Sequence, residues 1–444
     1  MREQEKIQDL LKTFGDLEGK YKLVFITTHR EQVEHEQNRK EFKSRIAENL
    51  LRCTSLNSFL ELSIGFFYES YARTVYKKLK NIPDHQKINF LLQMYDKKPL
   101  TGDVLKEELQ KFQAENILIL EYPNSNGVMA HQLNYACEYI RKKYPNGNNV
   151  VCIYNADSVI QKNFISTLKK LPANVVQQSS TFLKNYQRQS SSIRETFLKG
   201  NGMLQTRWTL AHEIPRIYSQ RKSNPLNFLE LSHVVGHGLI INLDTLKRVG
   251  GFPTQFSNED LPLGYMLRVN NEFVDIYPSL ENSESPSTIK NVFTQYRTWF
   301  YGVAYYPQYC LYALNNYCLP LKYKFYAIFW ALRGIIRSIQ WLLTSVYWIF
   351  ILLYPLCVWN LQLLLIAFAS FLFYSVCSWY LTFMSIRKSP EVFPDQGSLK
   401  MGAFDWIAVF PVYLTHSWGL ILGAFDILKS LLTRTNIKKK KTER

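Results

Sequence analysis

The longest uncharged stretch of the chain limits its architecture more than any other feature. Forty-nine consecutive residues, 338–386, contain no Asp, Glu, Lys or Arg. A single helix of that length would run roughly 75 Å at about 1.5 Å per residue, whereas the hydrocarbon core of a membrane is about 30 Å thick. Pro355 and Asn360 interrupt the stretch near its middle. We therefore predict a transmembrane hairpin over 338–386, with helices at 338–355 and 361–385.

Basic residues on both sides of this hairpin predict its orientation. Arg333 and Arg337 precede it, Arg387 and Lys388 follow it, and its tip is uncharged. The positive-inside rule then places both ends in the cytosol. The N-terminal sequence MREQEKIQDLLK lacks the apolar core of a signal peptide. We expect the residues before about 335 to stay in the cytosol.

A second apolar segment near the C-terminus has two interpretations. Residues 406–425 are long enough to cross a membrane, but a crossing would place the KKKK sequence at 438–441 outside the cytosol. We favour an interfacial or re-entrant helix within 401–430, with the basic tail 431–444 on anionic lipid. A third transmembrane crossing is the alternative.

The distribution of charge helps to choose between classes of partner. Lys and Arg number 53 against 36 Asp and Glu, a net charge of +17, which suits nucleic acid, anionic lipid or a phosphorylated ligand. The last 124 residues hold 14 basic and 5 acidic side chains beside the apolar segments, which favours a membrane surface. We recognise no nucleic-acid-binding module and expect no nucleic acid partner. Seven cysteines without a C-x-x-C pair predict neither a disulfide framework nor a zinc site.

The N-terminal 300 residues alternate between apolar runs and helical patterns. We predict strands at 22–28, 88–96, 115–122 and 149–157, with helices such as 103–112 and 128–144 between them. This order predicts an α/β domain with a mostly parallel sheet, in which ligands bind beyond the carboxyl ends of the strands. The predicted segments are a helical extension at 1–20, the α/β domain at 21–305, its long inserts at 31–87 and 180–232, and interfacial helices at 306–337. The second insert, rich in Ser, Gln and Arg, is expected to cover one edge of the domain.

Three of the predicted strands end in polar groups suited to a ligand. The first runs into TTHRE, the second ends at Asp96, and the fourth ends at Asn155 and Asp157. An acid at the carboxyl edge of a sheet is well placed to hold a hard divalent cation together with substrate phosphates. For Asp157, capping of the following helix is the plainer alternative.

Two adjacent acids follow a glycine-rich turn further along the chain. Glu259 and Asp260 begin an amphipathic stretch, and a carboxylate near a reacting hydroxyl can act as a general base. The helix macrodipole alone also favours acids in a first turn. Just before them, Gly236 and Gly238 flank His237; glycines allow either a tight turn or close approach of the backbone to a ligand.

A polar and aromatic motif precedes the membrane segments. Gln295, Arg297 and Trp299 lie within five residues. Arg can grip phosphate oxygens and Trp can stack on a sugar ring. An ordinary aromatic helix near a membrane is the alternative.

Taken in order, these segments resemble the family 2 glycosyltransferases with the GT-A fold. More narrowly, the chain resembles the membrane-anchored branch that includes cellulose-, chitin- and hyaluronan-synthase-like enzymes. The resemblance rests on TTHRE, Asp96, NSNG followed by LN, NADS, GHG, GGFP followed by NED, and Q-x-R-x-W before the membrane helices. It covers about residues 20–305, and it implies a Rossmann-like cytosolic domain followed by a helical membrane region.

The resemblance also implies a role for each matching residue. The nucleotide contacts the end of the first strand, at Thr27, Thr28, His29, Arg30 and Glu31. Asp96 recognises the uracil and ribose side of the donor, and Asp157 binds Mg²⁺ or Mn²⁺ and the donor diphosphate, with Asn155 at the first position of the D-x-D motif. Asp260 is the catalytic base of the E-D motif, with Glu259 before it. Donor binding is further implied for Gln295 and Arg297, and acceptor binding for Gly236, His237, Gly238 and Trp299.

Three departures from the family pattern stand out. Asn155 replaces the first acid of D-x-D, which predicts weaker metal binding. Arg297 lies two residues before Trp299 rather than next to it, which weakens the expected grip on the diphosphate. The first strand lacks the usual proline, and about 55 residues separate it from the predicted second strand.

The resemblance therefore implies an inverting glycosyltransferase that moves a sugar, most simply from a UDP-linked donor, to a lipid-linked or polysaccharide acceptor. Since no crossing is predicted before residue 335, the chain alone would not enclose a polymer channel. A processive synthase that obtains its export pore from a partner or by oligomerising is the alternative. A catalytically inactive nucleotide-sugar binder is a third reading. A nucleic-acid-binding membrane protein would explain the charge but not the ordered acids.

Overall fold

The computed structural model describes most of the chain from residue 117 to 433 and part of the region before it. The described residues are 23–28, 39, 42, 50–51, 55–63, 69–97, 117–124, 127–145, 149–154, 158, 160–161, 163–171, 173–186, 192–220, 224–231, 234–389, 392–393 and 400–433. They fall into two compact units, one within 1–127 and 160–169, the other within 128–159 and 170–444. The predictions that lie outside the described residues concern 1–20, His29, Arg30, Glu31, 103–112, Asn155, Asp157 and 434–444.

The first unit contains a parallel pair of strands. Strand β1 (Leu23–Thr28) pairs with β2 (Ile117–Tyr122) in parallel, from Leu23 opposite Ile117 to Thr28 opposite Tyr122. The strands predicted at 22–28 and 115–122 are thereby confirmed. Between them in the chain, the described residues include the helices α1 (Leu56–Ser63), α2 (Glu69–Leu79) and α3 (Asp84–Asp96).

The strand predicted at 88–96 is wrong, because these residues belong to α3. Leu91 and Tyr95, four residues apart, lie on one face of the helix and are both buried. The Tyr95 ring stacks on Phe42 at a centroid distance of 4.5 Å. A short apolar run does not distinguish a strand from a helix, and here burial at helical spacing decides.

The second unit is built around a mixed sheet. Its strands are β3 (Val150–Ile153), β4 (Val175–Gln177), β5 (Ser180–Thr181), β6 (Leu239–Asn242), β7 (Asp275–Ile276) and β8 (Glu281–Asn282). The order in the main sheet is β3-β6-β4-β7; β6 runs antiparallel to β3 and β4, and β7 runs parallel to β4. Strands β5 and β8 form a separate parallel pair. The predicted strand at 149–157 is confirmed over β3.

Helices alternate with these strands along the chain. They are α4 (Met129–Lys143), α5 (Phe164–Leu168, in the first unit), α6 (Ile193–Trp208), α7 (Ile214–Ser219), α8 (Leu243–Arg248) and α9 (Asp260–Val269). A π-helical turn, Thr209–Glu213, joins α6 to α7. The predicted α/β class is confirmed, with one antiparallel strand, β6, that the sequence did not indicate.

Helix α6, within the segment 180–232, contributes side chains to the core of the second unit. Helix α6 buries Leu198 and Met203, and a Cβ atom added to Gly200 would lie 2.9 Å from a methyl group of Val412. Some of its buried polar residues have partners: Thr206 accepts a hydrogen bond from the Phe182 N–H at 3.0 Å. Composition indicated a surface insert, whereas these paired hydroxyl and amide groups allow burial.

The C-terminal part of the second unit is entirely helical in the described residues. Its helices are α10 (Ile289–Ala304), α11 (Tyr306–Asn316), α12 (Leu321–Cys357), α13 (Leu361–Leu372), α14 (Ser378–Lys388), α15 (Ala403–Ile407), α16 (Val409–Thr415) and α17 (Ser417–Thr433). Helix α12 is continuous across the predicted boundary between 306–337 and 338–386. Its turn into α13 lies at 358–360, where the Asn360 side chain caps α13 by accepting the Leu363 N–H at 3.0 Å.

In the part of the chain that the structure describes, three helical stretches are long and apolar enough to cross a membrane. They are Leu321–Cys357, Leu361–Lys388 and Asp405–Thr433. In the third stretch, 50% of the most apolar part is buried inside the protein, whereas the buried share is 17% in each of the other two stretches. The third stretch therefore packs largely on the rest of the unit, and its length and composition also permit the alternative third crossing.

Candidate active site

The turn that leads into β6 is built from glycines and lies at the edge of the mixed sheet. Because Ile153 at the end of β3 pairs with Leu239 at the start of β6, the turn enters the sheet where β3 leaves it. Gly238 donates its N–H to the Ile153 carbonyl at 2.7 Å, and its own carbonyl accepts the Gln178 N–H at 2.7 Å. Gly238 has a φ of +69°, and a Cβ atom added there would lie 2.1 Å from the Gln178 carbonyl oxygen. Both the backbone conformation and this close approach require glycine at 238.

Asp260, the first residue of α9, has its carboxylate held on the glycine turn. Its Oδ2 accepts the Gly236 N–H at 3.0 Å, and its Oδ1 accepts the Leu261 N–H at 2.7 Å. Glu259 reaches the same glycine, because a Cβ atom added to Gly236 would lie 3.0 Å from Glu259 Oε1. Both acids are only partly buried. The structure thus brings Glu259, Asp260 and Gly236 together and leaves both carboxylates partly exposed.

The His237 side chain is buried in a polar network that joins the turn to β5 and β8. Its Nε2 lies 2.6 Å from Ser180 Oγ, which donates to Glu281 Oε2 at 3.1 Å. Nε2 must then carry the proton and donate to Ser180. Gln177 holds both ends of the turn: its Nε2 donates to the His237 carbonyl at 2.8 Å, and its Oε1 accepts the Val235 N–H at 3.0 Å. His237 therefore shapes the turn, and the sequence analysis did not identify its partners because they are distant in the chain.

Tyr154 is the last described residue where β3 leaves the sheet. Its hydroxyl donates to Gln178 Oε1 at 2.5 Å, and Gln178 Nε2 donates to the Ser279 carbonyl at 3.3 Å. Burial raises the pKa of Tyr154 well above its ordinary value, so the hydroxyl stays a donor. Asn155 and Asp157 follow Tyr154 in the sequence and lie outside the described residues. The role predicted for Asp157 stays a prediction.

A buried acid that the sequence analysis did not identify lies beside this network. Glu213 ends the π-helical turn and is 3% exposed, and its Oε1 has no hydrogen-bond partner among the described residues. Burial raises the pKa of Glu213 from its ordinary 4.5 to about 7, although Ser179 and Arg216 act in the opposite direction. Ser179 directly precedes Ser180 of the network. π-helical turns occur frequently at functional sites.

Helix α10 presents the Q-x-R-x-W residues on two different faces. At about 100° per residue, Gln295 and Trp299 lie close together on one face, and Arg297 lies almost opposite. Gln295 is buried and accepts a hydrogen bond from Gln205 Nε2 at 2.7 Å. Trp299 is half-buried, with its ring edge-on to Phe182 at a centroid distance of 6.5 Å. The structure therefore separates Arg297 from the other two motif residues.

The Arg297 side chain is bound by α17. Its Nη2 donates to Asp426 Oδ1 at 2.5 Å, and its Nε donates to Asp426 Oδ2 and to the Tyr301 hydroxyl. Tyr301 also donates to Asp426, and burial raises the pKa of Tyr301 to about 12. The carboxylate of Asp426 raises the pKa of Arg297 in turn. To grip a diphosphate, as predicted, Arg297 would first have to leave this pair.

The predicted nucleotide residues of the first unit are described only in part. Thr27 and Thr28 end β1 opposite Glu121 and Tyr122 of β2. Asp96 ends α3, where its carboxylate accepts two hydrogen bonds from Arg39, at 2.5 and 2.7 Å. Asp96 is thus at the end of a helix and not of a strand. Its predicted role at the uracil stays a prediction.

The described residues do not by themselves form a metal site. Among them, no group of three His, Cys, Asp or Glu side chains is placed to hold a metal ion. The site predicted for Mg²⁺ or Mn²⁺ therefore depends on Asp157.

One family model matches the part of the chain that contains most of this site. Residues 203–421, just under half of the chain, match the model described as glycosyl transferase family group 2. The match runs from α6 into α17 and includes the glycine turn, the two acids at the start of α9, and the motif on α10. No curated protein matches the sequence.

Solved structures give a weaker similarity. One is the mannosyltransferase PcManGT from Pyrobaculum calidifontis in complex with GDP-Man and Mn²⁺, which is 12% identical and covers 74% of each chain with a TM-score of 0.35. A TM-score of this size carries no argument about the site, which therefore rests on the chain's own residues and the family match.

Proposed function

Because residues 203–421 identify the chain as a family 2 glycosyltransferase, we propose that it transfers a sugar from a UDP-linked donor to a lipid-linked or polysaccharide acceptor. The observation that supports this most strongly is the Asp260 carboxylate, held 3.0 Å from the Gly236 N–H and only partly buried. Glu259 lies beside it. A fixed and accessible carboxylate is what removal of a proton from an acceptor hydroxyl requires.

In the proposed reaction Asp260 is the general base. Its carboxylate takes the proton of the acceptor hydroxyl while the hydroxyl oxygen bonds to the anomeric carbon. The bond from that carbon to the diphosphate oxygen breaks, and its electron pair leaves with the diphosphate, so that the configuration inverts. The two backbone N–H groups fix the orientation of the carboxylate. Trp299 and the turn at Gly236, His237 and Gly238 are proposed to contact the acceptor.

The donor side of the proposal keeps the residues implied by the family resemblance. Asp157 is proposed to hold Mg²⁺ or Mn²⁺, which when bound would offset negative charge on the leaving diphosphate. The proposed donor contacts are Thr27, Thr28, His29, Arg30, Glu31, Asp96, Asn155, Asp157, Gln295 and Arg297.

The proposed location is a membrane, with the α/β part in the cytosol. Three helical stretches of sufficient length and apolar character support membrane association. The basic residues at 333, 337, 387 and 388 support the cytosolic orientation. The basic tail is proposed to bind anionic lipid, and an oligomer or an export partner is proposed if the product is a polymer.

Replacement of the base tests this function. Asp260→Asn keeps an oxygen that can accept the Gly236 N–H but cannot take a proton at neutral pH. Transfer from labelled UDP-sugars should fall by at least about a hundredfold, the lower range for a lost general base. Asp244→Asn is a matched control, because Asp244 also lies in the first turn of a helix but is exposed outside the site. Full transfer by the Asp260→Asn protein would reject Asp260 as the base, and no transfer by the natural protein from any nucleotide sugar would reject the function.

A further inference from the structure

Glu281 of β8 is an acid that is completely buried in the second unit. Its side chain has an exposed fraction of 0%, and its carboxylate accepts hydrogen bonds from two serine hydroxyls. Ser180 Oγ donates to Oε2 at 3.1 Å, and Ser283 Oγ donates to Oε1 at 3.3 Å. Ser180 lies directly opposite Glu281 in the parallel pair of β5 and β8. Burial of an acid is costly, and hydrogen bonds of this kind offset part of the cost.

Ser180 connects this buried acid to the glycine turn. His237 Nε2 lies 2.6 Å from Ser180 Oγ and 4.0 Å from Glu281 Oε2. Because the hydroxyl hydrogen of Ser180 is directed to Glu281, the serine oxygen accepts a hydrogen bond from Nε2. The hydrogen bonds therefore run in one direction, from His237 through Ser180 to Glu281. A carboxylate at the end of this series has no proton to donate, which fixes the direction.

The turn has only one side chain of its own through which it can be held. Gly236 and Gly238 flank His237, so the imidazole is the single side chain of the three residues. Glycine backbone is the most permissive and loses the most conformational freedom when it is ordered. Gln177 holds the backbone at the Val235 N–H and at the His237 carbonyl. The bond from the imidazole to Ser180 adds a further point of attachment, on the side chain.

The Gly236 N–H is the part of this turn that contacts the proposed base. It donates to Asp260 Oδ2 at 3.0 Å, while the Leu261 N–H donates to Oδ1 at 2.7 Å. The second bond lies within α9 and does not depend on the turn. A shift of the turn would therefore remove one of these two donors and let the carboxylate rotate about the other. A general base must lie within hydrogen-bond reach of the proton that it removes, so such a rotation lowers the rate.

We propose that Ser180 and Glu281 are positioning residues for Asp260, and that they act through the His237 imidazole and the Gly236 N–H. This role rests on the proposed function, because it acts on the base of that reaction. Ser180 and Glu281 are 3% and 1% exposed, so neither touches a substrate. Loss of their contact with the turn should lower kcat and leave the KM for the donor unchanged.

Ser180→Ala and Ser283→Ala are a matched pair for testing this role. Each removes one buried hydroxyl that donates to Glu281, but only Ser180 is also bonded to His237. In Ser180→Ala, kcat for transfer from labelled UDP-sugars should fall by about tenfold to a hundredfold, the effect of a displacement of up to about 1 Å. In Ser283→Ala, kcat should stay close to that of the natural protein. The two variants should lose similar stability in thermal unfolding, since each loses one hydrogen bond to the same acid.

Hydrogen exchange measures the turn without requiring turnover. The sample is full-length protein in phosphatidylcholine nanodiscs, and mass spectrometry follows the amide hydrogens of a peptide that covers 234–238. Exchange at this peptide should be about tenfold faster in Ser180→Ala, because the hydrogen bond of the Gly236 N–H is weakened. It should be unchanged in Ser283→Ala. Neither substitution lies in the peptide, so its sequence is the same in all three proteins.

A second pair of variants keeps the test decisive if Ser180→Ala does not fold. His237→Gln places an amide nitrogen close to the position of Nε2 and can still donate to Ser180, whereas His237→Ala cannot. Exchange should be faster and kcat lower in His237→Ala, and His237→Gln should recover a large part of both. A role in packing alone would not depend on this donor.

The results separate this role from the proposed function. If exchange is the same in Ser180→Ala and the natural protein, or rises equally in Ser180→Ala and Ser283→Ala, the positioning role is wrong. A normal kcat in Ser180→Ala despite faster exchange would also overturn it. If the natural protein transfers no sugar, the proposed function fails, and exchange still decides whether Ser180 and Glu281 hold the turn.

Discussion

Two regions of the second unit use charged side chains in opposite ways. At the glycine turn, the Asp260 carboxylate accepts two backbone N–H groups and stays partly exposed. Between α10 and α17, the charges of Arg297 and Asp426 bind each other, and Tyr301 donates to the same carboxylate. A charge held by the backbone keeps free acceptor capacity for a substrate, whereas a charge held by an opposite charge fastens two helices together. The second region therefore attaches the C-terminal helix α17 to α10, and the first is the region for which we propose chemistry.

The packing around each region supports this division. The turn needs glycine because the backbone of β4's end approaches it closely. At the contact between α10 and α17, glycine is needed for a different reason. A Cβ atom added to Gly419 of α17 would lie 2.6 Å from the Phe293 carbonyl oxygen of α10. Because Gly419 has no side chain, α17 lies directly on α10.

The largest effect is expected from Gly238→Ala. The new methyl group would lie 2.1 Å from the Gln178 carbonyl oxygen, in a backbone conformation with positive φ. We expect a loss of at least about 4 kcal/mol in the free energy of unfolding, or no folded protein, because steric overlap adds to backbone strain.

Gly250→Ala is the matched control. Gly250 also has positive φ, at +87°, but the nearest atom to an added Cβ is the Tyr317 hydroxyl oxygen at 3.6 Å. Only strain of about 1–2 kcal/mol should then remain. Equal losses in the two variants, measured by thermal unfolding in one detergent, would show that the turn is not tightly enclosed.

Glu213→Gln should change how stability depends on pH. Because the folded-state pKa of about 7 is above the ordinary 4.5, the folded protein binds more protons than the unfolded chain between these values. The free energy of unfolding of the natural protein should therefore fall as pH rises from about 4.5 to about 7, by roughly 3 kcal/mol for a shift of this size, and then level off.

Thermal unfolding at a series of pH values measures this effect. The fall in the free energy of unfolding should be smaller in the Glu213→Gln protein than in the natural protein. It should be unchanged in the Glu138→Gln protein, because Glu138 lies on the exposed surface of α4. A pH profile that is identical in natural protein and Glu213→Gln would mean that Glu213 ionises normally.

A smaller effect is expected at the helix contact. Arg297→Ala and Asp426→Ala should each cost about 2 kcal/mol, and the double variant less than their sum, with a coupling of about 1 kcal/mol for a partly buried pair. Additive losses would contradict the pairing.

The same variants sharpen the role of Arg297. If the guanidinium serves only α17, both variants should affect the KM for the donor equally. If the KM for the donor rises in Arg297→Ala but not in Asp426→Ala, the result would support the prediction that Arg297 binds the diphosphate.

Local patterns predicted a large part of this fold. The runs that became β1, β2 and β3 are rich in β-branched residues, and the uncharged stretch gave the helical hairpin with its turn close to Asn360. The run at 88–96 was misassigned because its apolar residues fit both periods, and only the burial of Leu91 and Tyr95 on Phe42 distinguishes them. Non-local pairing of this kind is absent from any single window of sequence.

The candidate site was likewise predicted only where local sequence patterns mark it. Adjacent acids and glycines marked Asp260 and the turn, and the spacing of Arg297 already indicated that it departs from the family pattern. Gln177, Ser180 and Glu281 were missed because polar residues of this kind are ordinary on a surface, and their burial becomes meaningful only when their partners are known. Glu213 was missed for the same reason.

The central claim is that Asp260 faces the bound donor and acceptor at the glycine turn. An experimental structure of the full-length protein with UDP and Mn²⁺ tests it most directly. We predict the diphosphate at the edge of the sheet where β3 ends, with Mn²⁺ on Asp157 and the Asp260 carboxylate directed towards the place of the transferred sugar. A diphosphate bound elsewhere, or an Asp260 side chain turned away from it, would contradict the account.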